Sequence, residues 1–204
     1  MSRTHKAEIS VSPWTVGVLA LFITLASADV LAAVLMAALC HELGHYFVLR
    51  AVGGRVERIR ISPFGAEMCL AQRPILSYGR EAMAVAAGPA VNLVLAYLLA
   101  HCGLWWERLY TFAGAQMILG AFNLLPVRPL DGGRLLWTAF AWGLDPAAAD
   151  GILCWIERFC IAMTVLLALW IWRMTGSPFL LLAAVGLGKS QVQEKKLVKG
   201  RKRR

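Results

Sequence analysis

The sequence predicts an integral-membrane, all-α fold of about six transmembrane helices, and three observations carry that prediction. Hydrophobic residues make up 59% of the 204 and charged residues only 16%, whereas soluble domains are about 45–50% apolar; the mean hydropathy is +0.62. Apolar stretches recur near Val11–Ala28, Val30–Arg50, Ala82–His101, Tyr110–Leu125, Ile152–Trp172 and Pro178–Leu187, and ~20 apolar residues are what a helix needs to cross a bilayer core. With six alternating spans and a cytosolic N-terminus, all Lys and Arg except Arg108 and Arg173 fall on one side. That is the side the positive-inside rule assigns to the cytosol.

Taken in order, Arg3 and Lys6 precede an apolar run that ends in Ala26-Ser27-Ala28, a pattern that imitates a cleaved signal peptide. Apolar sequence resumes directly after Asp29, and losing the first span would upset the charge alternation, so the run is expected to stay as span one. Gly53-Gly54 stops the second span. Val56 to Ile61 then alternates imperfectly, Ser62-Pro63-Phe64-Gly65 is turn chemistry, and Ala66 to Leu70 can return. This predicts a short β-hairpin or re-entrant segment at the cytosolic face, with an ordinary polar loop as the alternative. Its open edge, near Phe64 and Gly65, could pair with an unwound peptide by strand addition. The third span carries Gly88-Pro89 and Asn92, expected to pack closely on the second. The fourth ends in Asn123-Leu124-Leu125-Pro126-Val127-Arg128-Pro129-Leu130-Asp131-Gly132-Gly133. Two prolines bar a regular helix, and two glycines free the backbone beside Asp131. The last apolar stretch is too short to span by itself. Residues 1–190 form the embedded core in this reading, and 191–204 form a basic cytosolic tail. The net charge of +9 is then accounted for by membrane orientation and lipid attraction, without nucleic acid. Five cysteines lack any CxxC spacing and are expected to be small buried hydrophobes.

The chemistry sits in the second span. His41-Glu42-Leu43-Gly44-His45 lies in a run that has no other strongly polar residue between Val30 and Leu49. An ionisable group at that depth costs roughly 2.5–3.5 kcal/mol even on insertion scales, and such groups are typically functional. Residues i and i+4 share a helix face, so His41 and His45 can grip one ion while Glu42 moves protons beside it. A catalytic zinc takes three protein ligands and keeps one position open. His5 lies in the tail and His101 at the far end of span three. Glu57, Glu67, Glu107 and Glu157 read as interfacial or loop charges, so elimination leaves Asp131, on the broken fourth helix, as the third ligand. Asn123, just before the break, is a candidate to hold substrate backbone or an oxyanion.

These residues resemble the site-2 protease family of intramembrane zinc metalloproteases, and within it the sporulation branch. The resemblance rests on Cys40-His41-Glu42-Leu43-Gly44-His45, Ile61-Ser62-Pro63-Phe64-Gly65, Arg73-Pro74 with Ala87-Gly88-Pro89, and Asn123-Leu124-Leu125-Pro126 running through Pro129-Leu130-Asp131-Gly132-Gly133. It implies one zinc ion held by His41, His45 and Asp131, with Glu42 as catalytic acid/base. It also implies a multi-pass protein of a bacterial cell membrane that cuts membrane-anchored proteins near the cytosolic face. A tethered pro-sigma factor is the substrate, and inhibitory membrane proteins are the partners, that the sporulation branch implies. No PDZ domain or CBS domain is recognisable in these 204 residues. Two other classes, a metal transporter and a catalytically silent scaffold, are disfavoured. The chain lacks a second set of intramembrane ligands to mark a transit path, and its acid/base set is complete.

Overall fold

The computed structural model describes residues 8–11, 24, 26–54, 56–62, 65–70, 76–128 and 130–175. Most of the first apolar stretch, the last stretch, Pro63, Phe64, Arg73-Pro74, Pro129 and the tail lie outside the described residues. The chain divides into two compact units, Met1–Phe122 and Asn123–Arg204.

In the first unit, helix α1 (Ala28–Ala51) starts where Ser27 turns extended and accepts the Val30 N–H on its hydroxyl at 3.5 Å, the usual service of an N-cap serine. Asp29 in the first turn and Arg50 in the last both oppose the helix dipole favourably. The helix stops at Gly53, whose φ of +88° is the left-handed conformation that glycine adopts without penalty. Around it, the Val52 N–H reaches Val48 O at 2.9 Å and the Gly54 N–H reaches Leu49 O at 2.8 Å. The distribution of side chains inverts that of a soluble helix. Ala33, Ala37, His41 and Gly44 are buried, while Leu35, Leu39, Leu43 and Phe47 are exposed, which suits a helix bathed in lipid.

Helix α2 (Tyr78–Cys102) lies against α1 with almost no space between them. A Cβ on Gly44 would stand 2.9 Å from Ala87 O and 3.0 Å from Val91 Cγ2. Small residues at such crossings are what lets membrane helices approach closely. Asn92, fully buried, donates its side-chain amide to Ala37 O at 3.5 Å. It therefore faces α1, as expected. Helix α3 (Leu109–Asn123) brings Gly120 onto Asn92 and Leu93.

Ahead of and beyond α1 the backbone is extended. Strand β1 (Glu8–Val11) runs parallel to β2 (Val56–Ser62), and β2 runs antiparallel to β3 (Gly65–Leu70), in the order β1-β2-β3. The register pairs Ile9 with Ile59 and Arg60 with Glu67, with an irregularity between Val56 and Arg58. β1 was not anticipated: Glu8 to Ser10 reads in the sequence as polar tail, because a four-residue strand has no periodicity to detect.

In the second unit, residues 124–128 and 130 belong to no helix, and α4 (Asp131–Gly143) and α5 (Pro146–Thr175) follow. Asp145 Oδ2 accepts the Ala147 N–H at 2.9 Å at the start of α5. The sequence reading placed Asp131 on a Pro/Gly-broken fourth helix; in the structure Asp131 begins a separate helix, α4. Among the described residues three helices, α1, α2 and α5, are long and apolar enough to cross a membrane. The 15-residue α3 is shorter than the expected fourth span.

Three expectations are corrected. Gly132 and Gly133 do not free a turn, for they lie in the first turn of α4 and neither has positive φ. Their use is space: a Cβ on Gly132 would collide with Leu124 O, and one on Gly133 would stand 2.6 Å from Val127 C. Glu157 is not an interfacial or loop charge; it is 1% exposed within α5. The cysteines are not uniformly buried. Cys40, Cys154 and Cys160 are half-buried and Cys102 is exposed, all four as free thiols.

Candidate metal centre

Helical spacing alone puts His41 and His45 on one face of α1, and the neighbouring helix then decides how their rings stand. The two Nε2 atoms face each other at 3.0 Å, with the rings edge-on at 87° and their centroids 4.6 Å apart. His45 Nδ1 lies 2.8 Å from the carbonyl of Ala84 on α2. A carbonyl only accepts, so Nδ1 must carry the proton, and in a neutral ring Nε2 then keeps its lone pair. That tautomer is the one a metal-binding histidine needs, and a backbone carbonyl on the other nitrogen is a common way of fixing it.

Pro89 lies inside α2 and has no N–H for the carbonyl of Val85 four residues back, so the backbone ladder of this turn is incomplete one residue after the Ala84 carbonyl. Gly88, next to it, makes room for the imidazole: a Cβ there would fall on the His45 ring. Gly88 thus shapes the seat of His45. Gly88-Pro89 is detectable in the sequence, but the ring contact of Gly88 is not.

Glu42, one residue on from His41, is half-buried. By helical rise, His41 stands about 13 Å and His45 about 7–8 Å inside Arg50. His101 closes α2, thirteen residues beyond Gly88, with its ring against Tyr97 at 4.4 Å. At ~1.5 Å per residue this is about 20 Å along the helix from the His45 seat.

The second unit contains Asp131 and Asn123. Asp131 is buried at 8% exposure as the first residue of α4, where a helix N-terminus favours a carboxylate. Asn123 is buried as well, as the last residue of α3. Gly65 opens β3. Phe64 lies outside the described residues. The sequence reading overlooked the polar cluster behind Asp131. Arg128 donates from its backbone N–H and from Nε to Glu157 Oε1 at 3.0 and 2.7 Å, and from Nη2 to Oε2 at 3.3 Å. Its Nη1 reaches Asp150 Oδ1 at 3.2 Å, and that oxygen also accepts the Trp137 indole N–H at 3.0 Å. The signal available in the sequence was a Glu-Arg pair inside an apolar run.

The donor chemistry fits zinc. Two neutral imidazoles with one carboxylate is a ligand set that zinc takes in catalytic sites, leaving a fourth position open. At 3.0 Å the lone pair of His45 Nε2 meets either an N–H of His41 or a cation shared by the two rings.

Comparison with known proteins agrees with this geometry. Residues 29–106 match the family model described as peptidase family M50. A zinc metalloprotease of Methanocaldococcus jannaschii is 32% identical over 103 residues, 47% of this chain and 30% of that protein. The stage IV sporulation protein FB of Bacillus subtilis is 29% identical over 140 residues, 66% of this chain and 48% of that protein. The chain therefore spans less than half the length of these curated relatives. Among solved structures, the site-2 protease from Methanocaldococcus jannaschii has the same fold, with a TM-score of 0.67 at 22% identity, covering 92% of this chain and 90% of that one.

Proposed function

We propose that the chain, residues 29–106 of which match the peptidase family M50 model, is an intramembrane zinc endopeptidase. The observation that carries this reading is the pair of converging Nε2 atoms on an apolar helix, with His45 held in its metal-binding tautomer by Ala84. Asp131 is the third ligand of this reading beside His41 and His45, and a carboxylate in that role suits zinc. Zinc, when bound, supplies Lewis acidity to a carbonyl and to water.

The chain's own residues do the rest. Glu42 takes the proton of the attacking water and returns it to the leaving amine, so that no charged amide nitrogen has to depart. Asn123, buried at the end of α3, holds the substrate backbone or the oxyanion. The extended segment at Gly65 offers a sheet edge to a peptide that must unwind before a peptide bond can be reached. The substrate class is membrane-anchored protein cut near the cytosolic face, in a multi-pass bacterial membrane protein with cytosolic termini. Likeness to a sporulation protein supports a tethered pro-sigma factor as the first substrate to try, with membrane partners that restrain cleavage.

The test is co-expression with a membrane-tethered pro-sigma factor of the same host, comparing wild type with Glu42→Gln by immunoblot, with zinc content measured on the purified proteins. The expected result is cleavage by wild type, loss of at least ~100-fold in the variant, and about one zinc per chain in both. Zinc transport with equal rates in both proteins, or a biological activity that survives Glu42→Gln, would sink the protease reading. Asn123→Ala in the same assay should slow cleavage; normal turnover would remove Asn123 from the site.

A further inference from the structure

We infer that Arg128 and Glu157 form a positioning clamp that holds Asp131 at the place where it can ligate a metal; the inference rests on the proposed zinc-site reading. Arg128 lies three residues before Asp131, so at most ~10 Å of chain separates them. Four donors of this one residue are engaged. Its backbone N–H, Nε and Nη2 all go to the Glu157 carboxylate, and Nη1 goes to Asp150. A backbone donor bound to the same carboxylate as the guanidinium fixes the main chain of the segment and not merely a side chain.

The other end of the segment is equally constrained. Val127 N–H bonds Leu125 O at 2.8 Å, Leu130 N–H bonds Val127 O at 2.8 Å, and Arg134 N–H bonds Leu130 O at 3.2 Å. Gly132 and Gly133 lie on the carbonyls of Leu124 and Val127 with no room for a Cβ. Leu130, directly before Asp131, is thus tied at both its N–H and its carbonyl. Asp150, which shares its oxygen with Trp137 of α4, ties the same residue to the helix that Asp131 begins.

The energetics argue for placement over stability. Glu157 is 1% exposed, and the Arg128 side chain 25%. Desolvating such a pair offsets much of its attraction, and apolar replacement of both partners is often neutral or stabilising. An ion pair here is explained by what it holds. The planar fork of arginine meets one carboxylate with two N–H groups, which a lysine cannot do, so orientation is the property retained.

The test uses full-length protein in detergent micelles, with zinc ion alone as the probe and a competing chelator to set its free concentration. Arg128→Lys, Glu157→Gln and the double variant Arg128→Met/Glu157→Leu are compared with wild type. The readouts are zinc affinity, thermal midpoint, and hydrogen exchange of the metal-free segment 124–131. A clamp predicts zinc affinity lowered 10–100-fold in all three variants, the range typical for groups that orient a ligand. It also predicts faster exchange at Val127 and Leu130. In the double variant the thermal midpoint should recover while zinc affinity does not. Recovery of affinity together with the midpoint would reduce the pair to a structural element and overturn the inference. So would exchange unchanged in the single variants. Wild-type protein that takes up no zinc would instead overturn the reading of the site on which the clamp depends, a distinguishable outcome because exchange is read without metal.

Discussion

At the scale of single residues, His45 is held from two directions that have nothing to do with its own helix. Ala84 O takes its Nδ1 proton, and Gly88 leaves the space that its ring fills. Gly88→Ala would set a methyl group on the imidazole, so the ring would have to swing and give up the Ala84 bond. Zinc affinity should fall by roughly 10–100-fold, as when a group orienting a metal ligand is lost, and cleavage should fall with it. Zinc retention against a graded chelator series measures this. An affinity equal to wild type would mean that the ring position is adjustable and the seat is not specific.

At the scale of elements, the approach of α1 to α2 depends on one missing side chain. Gly44 has Ala87 O and Val91 Cγ2 directly above its Cα, so Gly44→Val should overpack the crossing at a cost of about 1–3 kcal/mol and move the helix that carries both histidines. The expected result is a lower midpoint in denaturant titration of the purified protein. Gly114 on α3 is the control, because a Cβ there meets nothing within 4 Å. Gly114→Ala should leave the midpoint equal or higher, since alanine is the better helix former by up to ~1 kcal/mol. Equal losses at both positions would mean that the close crossing is not what makes Gly44 intolerant.

For the molecule as a whole, the surface is the argument. Exposed apolar side chains cover α1, α2 and α5, and the three helices have the length and composition of spans. Trp105 and Trp106, in the connection between α2 and α3, are 93% and 60% exposed, as tryptophans at a membrane–water interface would be. The charge distribution predicts that this connection faces away from the cytosol while residues 51–77 and the C-terminal tail face it. Reporter fusions, one active only in the cytosol and one only outside it, placed after Gly103 and after Arg204 should give opposite readings. The same reading at both sites would overturn the six-span alternation.

The sequence by itself determined the membrane character and the local chemistry. Hydropathy is additive along the chain, and helical periodicity turns the spacing of His41 and His45 into a shared face without outside help. The stop at Gly53, the break after Asn123 and the inward-facing Asn92 were legible for the same reason: each follows from residues a few positions apart. Everything that depends on a partner far along the chain waited for the tertiary structure. The tautomer of His45 is set by a carbonyl 39 residues away, and the burial of Glu157 by an arginine 29 residues away. The glycines at 132 and 133 serve packing, not turning, because of carbonyls that only the folded chain brings over them. Strand β1 exists through its register with β2, and no property of Glu8–Val11 by itself could have announced it. Short-range spacing determines which groups can act. Long-range packing determines which ring nitrogen of His45 meets the Ala84 carbonyl, because close-packed neighbours leave a side chain one orientation where the free helix would allow several.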